Sequence, residues 1–265
     1  LAGTAVTTGT LNTLVGANTG DAITTGFDNV AIGRSALTTE DTGRKNVAIG
    51  SSALESQNND ADNFNTAVGF SAGKEVTTGT QNTFVGGLSG DGSQTGTGNT
   101  ALGYQSLSGV VTGGYNTALG WGAGLAMTSG TLNTAVGTQS LFSNTVGSYN
   151  TALGEGALYS NVDGSKSVAV GRLALYTQDP ASAVDMYNVG VGYDAGGKIT
   201  TGVENTIIGG AAGDALTTGD NNVALGYEAL TANIVGDRST ALGNFALKSQ
   251  NPSSNADMYN VAIGH

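Results

Sequence analysis

The chain has 265 residues, of which 11% are charged, and its formal net charge at pH 7 is −11. This acidic balance offers no basic surface to nucleic acid or to an anionic membrane, and no apolar segment approaches the length of about 20 residues that spans a bilayer. Cysteine is absent, which excludes disulfides, thiolate metal sites and a cysteine nucleophile. We therefore expect no nucleic-acid partner and no membrane insertion of this segment.

A five-residue pattern, seen in Asn116-Thr117-Ala118-Leu119-Gly120, recurs fifteen times along the chain. Eleven of the fourteen steps between copies are 17 residues, one is 19 and two are 21. A period that runs through residues 1–265 predicts a single repeat array in which each unit contacts its neighbours. The first residue of each copy, called the anchor here, is Asn12, Asn29, Asn46, Asn65, Asn82, Asn99, Asn116, Asn133, Asn150, Ser167, Asn188, Asn205, Asn222, Ser239 or Asn260.

Positions in a repeat are counted from the anchor as zero. Position +1 is Thr nine times and Val six times, position +3 is always Val, Ile or Leu, and position +4 is always glycine, as in Gly33, Gly50, Gly103 and Gly120. This alternation predicts a short strand and then a bend. The aliphatic residue at every +3 favours an inward +1/+3 face. The opposite face, with the anchor and a small residue at +2, is then expected to pack against another chain or sheet.

The repeated asparagines admit two interpretations. Identical amides on stacked parallel strands can form a hydrogen-bonded ladder between successive coils. Alternatively, each asparagine caps the turn before its strand. Ser167 and Ser239 keep a hydrogen-bonding group and lose the amide, and each opens a repeat with a four-residue insertion.

Positions +8 and +11 are complementary in size. Where +8 is leucine, +11 is polar in seven of eight repeats, with Val110 the exception; where +8 is glycine, +11 is apolar in five of six, with Ser93 the exception. Because voids and overfilled cores are both costly, this pattern predicts one large apolar side chain in each coil, supplied from either position.

Glycine lies at position −3 in twelve repeats, where a positive φ is expected. The other three repeats have Asp62, Asp185 or Asp257 at this position and are the lengthened ones. They predict wider turns at residues 55–63, 176–186 and 248–258.

A 17-residue unit with one strand and two glycine turns is too short for helix-pair repeats or propeller blades. It predicts an all-β fold, a parallel β-solenoid or β-roll of about fifteen coils. The copies Asn29-Val30-Ala31-Ile32-Gly33 and Asn46-Val47-Ala48-Ile49-Gly50 resemble the head repeats of YadA-like trimeric autotransporter adhesins and related repeats of phage tail fibres. The resemblance implies a left-handed roll, a side-by-side homotrimer and binding to a host surface. The period is longer here than in that family.

Few residues point to chemistry. The single histidine, His265, lies at the last position, and acidic residues such as Asp91, Asp163 and Asp214 show no recurring paired spacing. The cluster Asn58-Asn59-Asp60-Ala61-Asp62 has oxygen ligands and lacks the pattern of a calcium loop. We expect no catalytic residue, metal or cofactor.

Aromatic residues recur at position +5, after the glycine bend. Exposed aromatic side chains on a repeat array can stack on sugars or anchor a protein; the alternative is that they cover the core at the bend or line a contact between chains. A second set lies just before the anchor, at −1. The +5 residues are Phe70, Tyr104, Trp121, Tyr193 and Tyr227, and the −1 residues are Phe64, Tyr115, Tyr149, Tyr187 and Tyr259.

These features predict a non-enzymatic extracellular fibre or adhesin segment, on a cell surface or virion, that forms a stiff rod and a multivalent binding surface. Its expected partners are further copies of itself and a host-surface glycan or protein receptor. An ice-binding solenoid is the first alternative, because of the threonines at +1. A polysaccharide-cleaving spike is a more distant one, since it needs a carboxylate pair.

Overall fold

The computed structural model describes residues 1–92 and 94–265, so Ser93 lies outside the described residues. Within that range the chain is all-β and contains no helix. It is a parallel β-solenoid of about 15 coils. The coils divide into two compact units, Leu1–Thr131 and Leu132–His265, each of which is built in the same way.

Nearly every repeat contributes one three-residue strand over positions +1 to +3, as the sequence predicts. Two short extra strands, β14 and β16, lie in the second unit. The first unit contains β1 Thr13–Val15, β2 Val30–Ile32, β3 Val47–Ile49, β4 Thr66–Val68, β5 Thr83–Val85, β6 Thr100–Leu102 and β7 Thr117–Leu119. The second contains β8 Thr134–Val136, β9 Thr151–Leu153, β10 Val168–Val170, β11 Val189–Val191, β12 Thr206–Ile208, β13 Val223–Leu225, β14 Gly236–Asp237, β15 Thr240–Leu242, β16 Ala256–Asp257 and β17 Val261–Ile263.

Within each unit the repeat strands pair in parallel and in register. In the first unit Ala101 of β6 lies opposite Ala118 of β7, and in the second Ala224 of β13 lies opposite Ala241 of β15. Strands β14 and β16 form a separate parallel pair. This register places equivalent positions of successive repeats side by side, so each position forms a file of residues along the unit.

The prediction of which strand face is inward is wrong. The anchors and the +2 residues are buried in almost every coil, as Asn99 and Ala101 are, whereas Leu102 at +3 is 46% exposed. The physical reason is the small width of the coil. Alanine at +2 and a small residue at +7 leave room for one large apolar side chain, so a second bulky file at +3 would overfill the interior. The +1/+3 face is therefore outward, and the Asn/Ala face forms the core.

The anchors form a ladder, which confirms the first of the two interpretations. In the second unit, Asn205 Oδ1 accepts from the backbone N–H of Asn222 at 2.9 Å. Its Nδ2 donates to the Gly219 carbonyl at 2.9 Å, three residues before the next anchor. The same pair of bonds recurs in the first unit, where Asn82 bonds to the Asn99 N–H and the Gly96 carbonyl. Each amide thus forms hydrogen bonds with two buried backbone groups of the following coil. Without these bonds, the burial of the two groups would cost free energy.

The −3 glycines do not have the predicted positive φ. Glycine is required there by close approach, because a Cβ on Gly26 would lie 2.5 Å from the Gly43 carbonyl oxygen of the next coil. The +4 glycines combine both constraints. Gly103 has a φ of +133°, and a Cβ there would lie 2.5 Å from the Gly120 carbonyl oxygen.

The complementarity of +8 and +11 is confirmed. A Cβ on Gly196, at +8, would lie 2.8 Å from Cδ1 of Ile199, the buried residue at +11 of the same coil. In the coil of Asn82 the buried large residue comes from a third place, Phe84 at +2, which lies against Gly90. Val110 does not overfill its coil, because its side chain is exposed.

Left-handed backbone at residues other than glycine is a feature that we did not predict. Every non-glycine residue with positive φ in the described chain lies at position −1, +6 or +8. Leu107 at +8, for example, has a φ of 49°, and Tyr115 at −1 has a φ of 60°. Such conformations are uncommon for residues with a Cβ. They recur at fixed positions before and after each strand.

Candidate functional site

The outward face of the strands, called the sheet face here, consists of the +1 and +3 positions. It contains only Thr and Val at +1 and only Val, Ile and Leu at +3, so it has no charged residue. In strands β6 and β7, for example, Thr100, Leu102, Thr117 and Leu119 are all exposed. A row of aliphatic side chains in register is a surface that favours association with another apolar surface.

The five +5 aromatic residues lie beside the sheet face, immediately after the glycine bend, and all are between 46% and 59% exposed. Two of them cover a glycine of the preceding coil. A Cβ on Gly87 would lie 3.6 Å from Tyr104 Cδ2, and a Cβ on Gly210 would lie 3.6 Å from Tyr227 Cδ2. Each ring is therefore packed on backbone and partly open to solvent. Their role in binding stays a prediction.

The surroundings of these aromatic residues differ between the units. Tyr193 lies under the guanidinium of Arg172, 5.7 Å from the ring centre, and Arg172 pairs with Glu155 at 3.0 Å, which raises the pKa of Arg172. The hydrogen bond and charge of Glu228 raise the pKa of the Tyr227 phenol. By contrast, the sequence has no charged residue between Asp91 and Glu155, the segment that contains Tyr104 and Trp121.

The −1 aromatic residues of the lengthened repeats belong to a recurring cluster. In each, a basic residue at −1 of one coil pairs with the Asp at −3 of the next and lies against the aromatic ring at −1 of that coil. Lys45 Nζ lies 2.7 Å from Asp62 and 5.1 Å from the Phe64 ring centre. The other two clusters are Lys166, Asp185 and Tyr187, and Arg238, Asp257 and Tyr259. These clusters hold the wider turns against the preceding coil.

The glutamines at +11 are residues whose role sequence reasoning missed. Gln57, Gln178 and Gln250 occur only in the three coils that run into a lengthened turn. Gln178 Nε2 donates to Ser167 Oγ at 3.1 Å, and Asn188 Nδ2 donates to Gln178 Oε1 at 2.9 Å, so the glutamine bridges two successive anchors. The sequence offered one sign of this role, because glutamine lies at +11 only in these three repeats.

A buried carboxylate was also missed. Glu40 is fully buried and accepts from the Gly43 N–H at 2.7 Å, Asn63 Nδ2 at 3.1 Å and Gln57 Nε2 at 3.2 Å. Burial raises the pKa of Glu40, and the hydrogen bonds from Gly43, Asn59 and Gln57 oppose the rise. Its position at +11, where it was counted only as a polar residue, gave no sign of this network.

Asp62, the last residue of the cluster of oxygen ligands at 58–62, takes part in ion pairs. Asp62 pairs with Arg44 and Lys45, and its hydrogen bond to Lys45 is the largest cause of its lowered pKa. Among residues 1–92 and 94–265, no group of three or more His, Cys, Asp or Glu side chains is placed to hold a metal ion, and no pocket is found.

A third aromatic arrangement lies in the second unit, at position +9. Phe142, Tyr159 and Tyr176 stack with ring centres 5.0 and 5.1 Å apart. The rings repeat at the spacing of the coils, so they extend the register of the strands to another side of the solenoid.

In the described part of the chain no helix is long and apolar enough to cross a membrane. Comparison with protein-family models, with curated proteins and with solved structures gives no match.

Proposed function

We propose that the chain is a non-enzymatic segment of an extracellular fibre or adhesin, on a cell surface or virion, whose copies associate side by side through the sheet face. The flanking aromatic residues then contact a host-surface or matrix ligand. As in the adhesin heads that the repeats resemble, the proposed assembly is a homotrimer of left-handed rolls. The contact differs from the one expected from sequence, since the Asn/Ala face is buried within each chain.

One observation carries this proposal: the outward sheet face has an aliphatic residue at every +3 position and no charged residue in either unit. Complete burial of an aliphatic side chain is worth about 1.5–3 kcal/mol, so the partial burial of many +3 residues is a substantial driving force. Charged residues make up 11% of the chain, and none of them lies at +1 or +3 in any of the fifteen repeats. A strand face that is open to solvent and excludes charge favours a surface covered by another copy.

The mass in solution tests the proposal. Light scattering over a range of concentrations should give three times the chain mass of 26.2 kDa. The double variant Leu102→Lys and Leu119→Lys should shift the mass to that of one chain, because charge on the sheet face would have to be buried unpaired. Thr95→Lys adds a charge at an exposed position outside the sheet face and should leave the mass unchanged. A single-chain mass for the unmodified protein at every concentration would overturn the proposal.

Ice binding is a second candidate, which the outward direction of the +1 residues favours. Thr66, Thr83, Thr100 and Thr117 lie on four successive strands of the first unit, in register and facing solvent. Six of the fifteen +1 positions are Val, which interrupts the threonine file elsewhere. Thermal hysteresis of the purified protein would support this function, and its absence at high protein concentration would exclude it.

A further inference from the structure

We propose that Tyr104 and Trp121 form a stacking platform for an uncharged, β-linked polysaccharide that lies along the direction in which the coils stack. The inference rests on the proposed function, since it names the chemical class of ligand that the flanking aromatic file of a fibre segment would take. It singles out two of the five aromatic residues at +5.

The first support is the way in which the rings are held. Tyr104 and Trp121 occupy the same position in consecutive coils, beside strands β6 and β7. The Tyr104 ring lies over Gly87, where a Cβ would be 3.6 and 3.9 Å from two of its carbons. Tyr104 is 50% exposed and Trp121 is 46% exposed. A ring that is already supported by backbone, as that of Tyr104 is, loses little conformational entropy when a ligand binds, which favours affinity.

The second support is charge. The segment from Gly92 to Gly154 contains no charged residue. The other two tyrosines of the file are occupied differently, because Tyr193 lies against Arg172 and Tyr227 is hydrogen-bonded to Glu228. A ligand at Tyr104 and Trp121 therefore meets no ionic partner, and the net charge of −11 disfavours acidic glycans. An uncharged ligand with an apolar face is the complementary chemistry.

The third support is the surface chemistry of the ligand. In a β-linked chain of hexoses each ring has a face of C–H groups that can lie on an aromatic side chain. Gln105 follows Tyr104 in the chain and supplies a side-chain donor and acceptor next to the platform.

The single tryptophan makes the test direct, because Trp121 is the only residue of its kind in the chain. The protein would be titrated with cellohexaose, chitohexaose and mannohexaose while tryptophan emission is recorded. We expect a saturable shift to shorter wavelength with at least one of the three. Tyr104→Ala should weaken that binding about tenfold, the effect of losing one stacked ring. Tyr176→Ala is the control, since it removes a tyrosine of the +9 arrangement on another side of the solenoid, and should change the affinity less than twofold.

Three results would overturn the inference: emission unaffected by all three oligosaccharides, equal binding of an oligogalacturonate, or equal binding by the Tyr104→Ala variant. Emission that changes with protein concentration alone would assign the platform to a second copy of the chain instead. The native mass separates this inference from the proposed function. A three-chain mass without glycan binding overturns the platform only, whereas glycan binding by a single chain overturns the self-association only.

Discussion

Ordinary and lengthened coils join to their neighbours through different side chains. In an ordinary coil the anchor asparagine bonds directly to the turn of the next coil, as Asn205 does with Gly219. Where the next turn is lengthened, the anchor is Asn46, Ser167 or Ser239, and a glutamine eleven residues later makes the connection. The requirement common to both is an amide between coils. The anchor asparagine supplies this amide in ordinary coils, and a glutamine at +11 supplies it before a lengthened turn.

The largest effect is expected when the ordinary connection is broken. Asn205→Ala removes the donor to the Gly219 carbonyl and the acceptor of the Asn222 N–H, both buried. Because each lost partner costs about 1–3 kcal/mol, the free energy of unfolding should fall by about 2–5 kcal/mol. Urea denaturation followed by circular dichroism measures this. A loss below 1 kcal/mol would mean that water replaces the amide and that the ladder contributes little.

The corresponding change in a lengthened coil should have a smaller effect. Gln178→Ala removes bonds to Ser167, Asn161 and Asn188, but Asn188 Nδ2 keeps its bond to the Gly202 carbonyl at 2.7 Å. We expect a loss of about 1–3 kcal/mol in the same urea experiment. Ser167→Asn is the control and should be nearly neutral, because Asn46 already coexists with Gln57 in the equivalent coil. Equal losses from both variants would show that the anchor, and not the glutamine, decides the connection.

A third prediction concerns pH at the contact between an ordinary and a lengthened coil. Burial raises the pKa of Glu40 above its ordinary value of 4.5, so the folded chain binds this proton more tightly than the unfolded chain. The contribution of Glu40 to stability is therefore complete below pH 4.5 and is lost as the pH rises through the raised pKa. The stability of Glu40→Gln relative to the unmodified protein should increase over that interval. Glu204→Gln, at an exposed position, is the control.

If Glu40→Gln and Glu204→Gln give the same pH dependence of the urea midpoint, the hydrogen bonds that lower the pKa of Glu40 balance the burial that raises it. In that case the contact between residue 40 and the turn at 55–63 is insensitive to ionisation.

The smallest effect is expected at the surface clusters of the lengthened turns. Lys166→Ala breaks the ion pair with Asp185 and the contact with Tyr187, but all three side chains are partly exposed. Exposed ion pairs contribute little to global stability, so the unfolding midpoint should not change measurably. Amide hydrogen exchange in residues 176–186 should nevertheless become faster. Unchanged exchange there would show that the glutamine bridge alone orders the turn.

Much of the fold was predictable, because its determinants are local. Strand positions followed from the alternation of Thr or Val with an aliphatic residue, and the exchange of large residues between +8 and +11 followed from core volume. The asparagine ladder was one of two stated interpretations. These signals all lie within one repeat or recur at its period.

The inward face was not predictable from the same rules. Both faces of each strand carry residues that a core accepts, and hydrophobicity alone favours Val, Ile and Leu over Ala. Only the width of the folded coil decides that alanine and asparagine fit inside, and this width is not a property of one strand. The glutamine bridges were missed for a related reason, since Gln178 contacts residues 10 to 17 positions away.

The candidate site was partly predictable. The exposed aromatic residues at +5 were named from their position after the bend. What distinguishes Tyr104 and Trp121 from Tyr193 and Tyr227 is the absence or presence of charged neighbours, and for Tyr193 the cation lies in the preceding coil, at Arg172. Contacts between coils were thus needed to separate aromatic residues that look equivalent in the sequence.

The asparagine ladder also bears on how such a gene can change. Asn205, like the other ordinary anchors whose bonds are described, is joined to the coil before it and the coil after it by its Oδ1 and Nδ2 atoms and its backbone N–H. Duplication or deletion of a 51-base-pair segment, which encodes 17 residues, would therefore leave every amide in an ordinary stretch with equivalent partners. Recombination between such repeats can lengthen or shorten the protein in steps of one coil, whereas each of the three longer turns in this chain is accompanied by a glutamine that bonds to the next anchor.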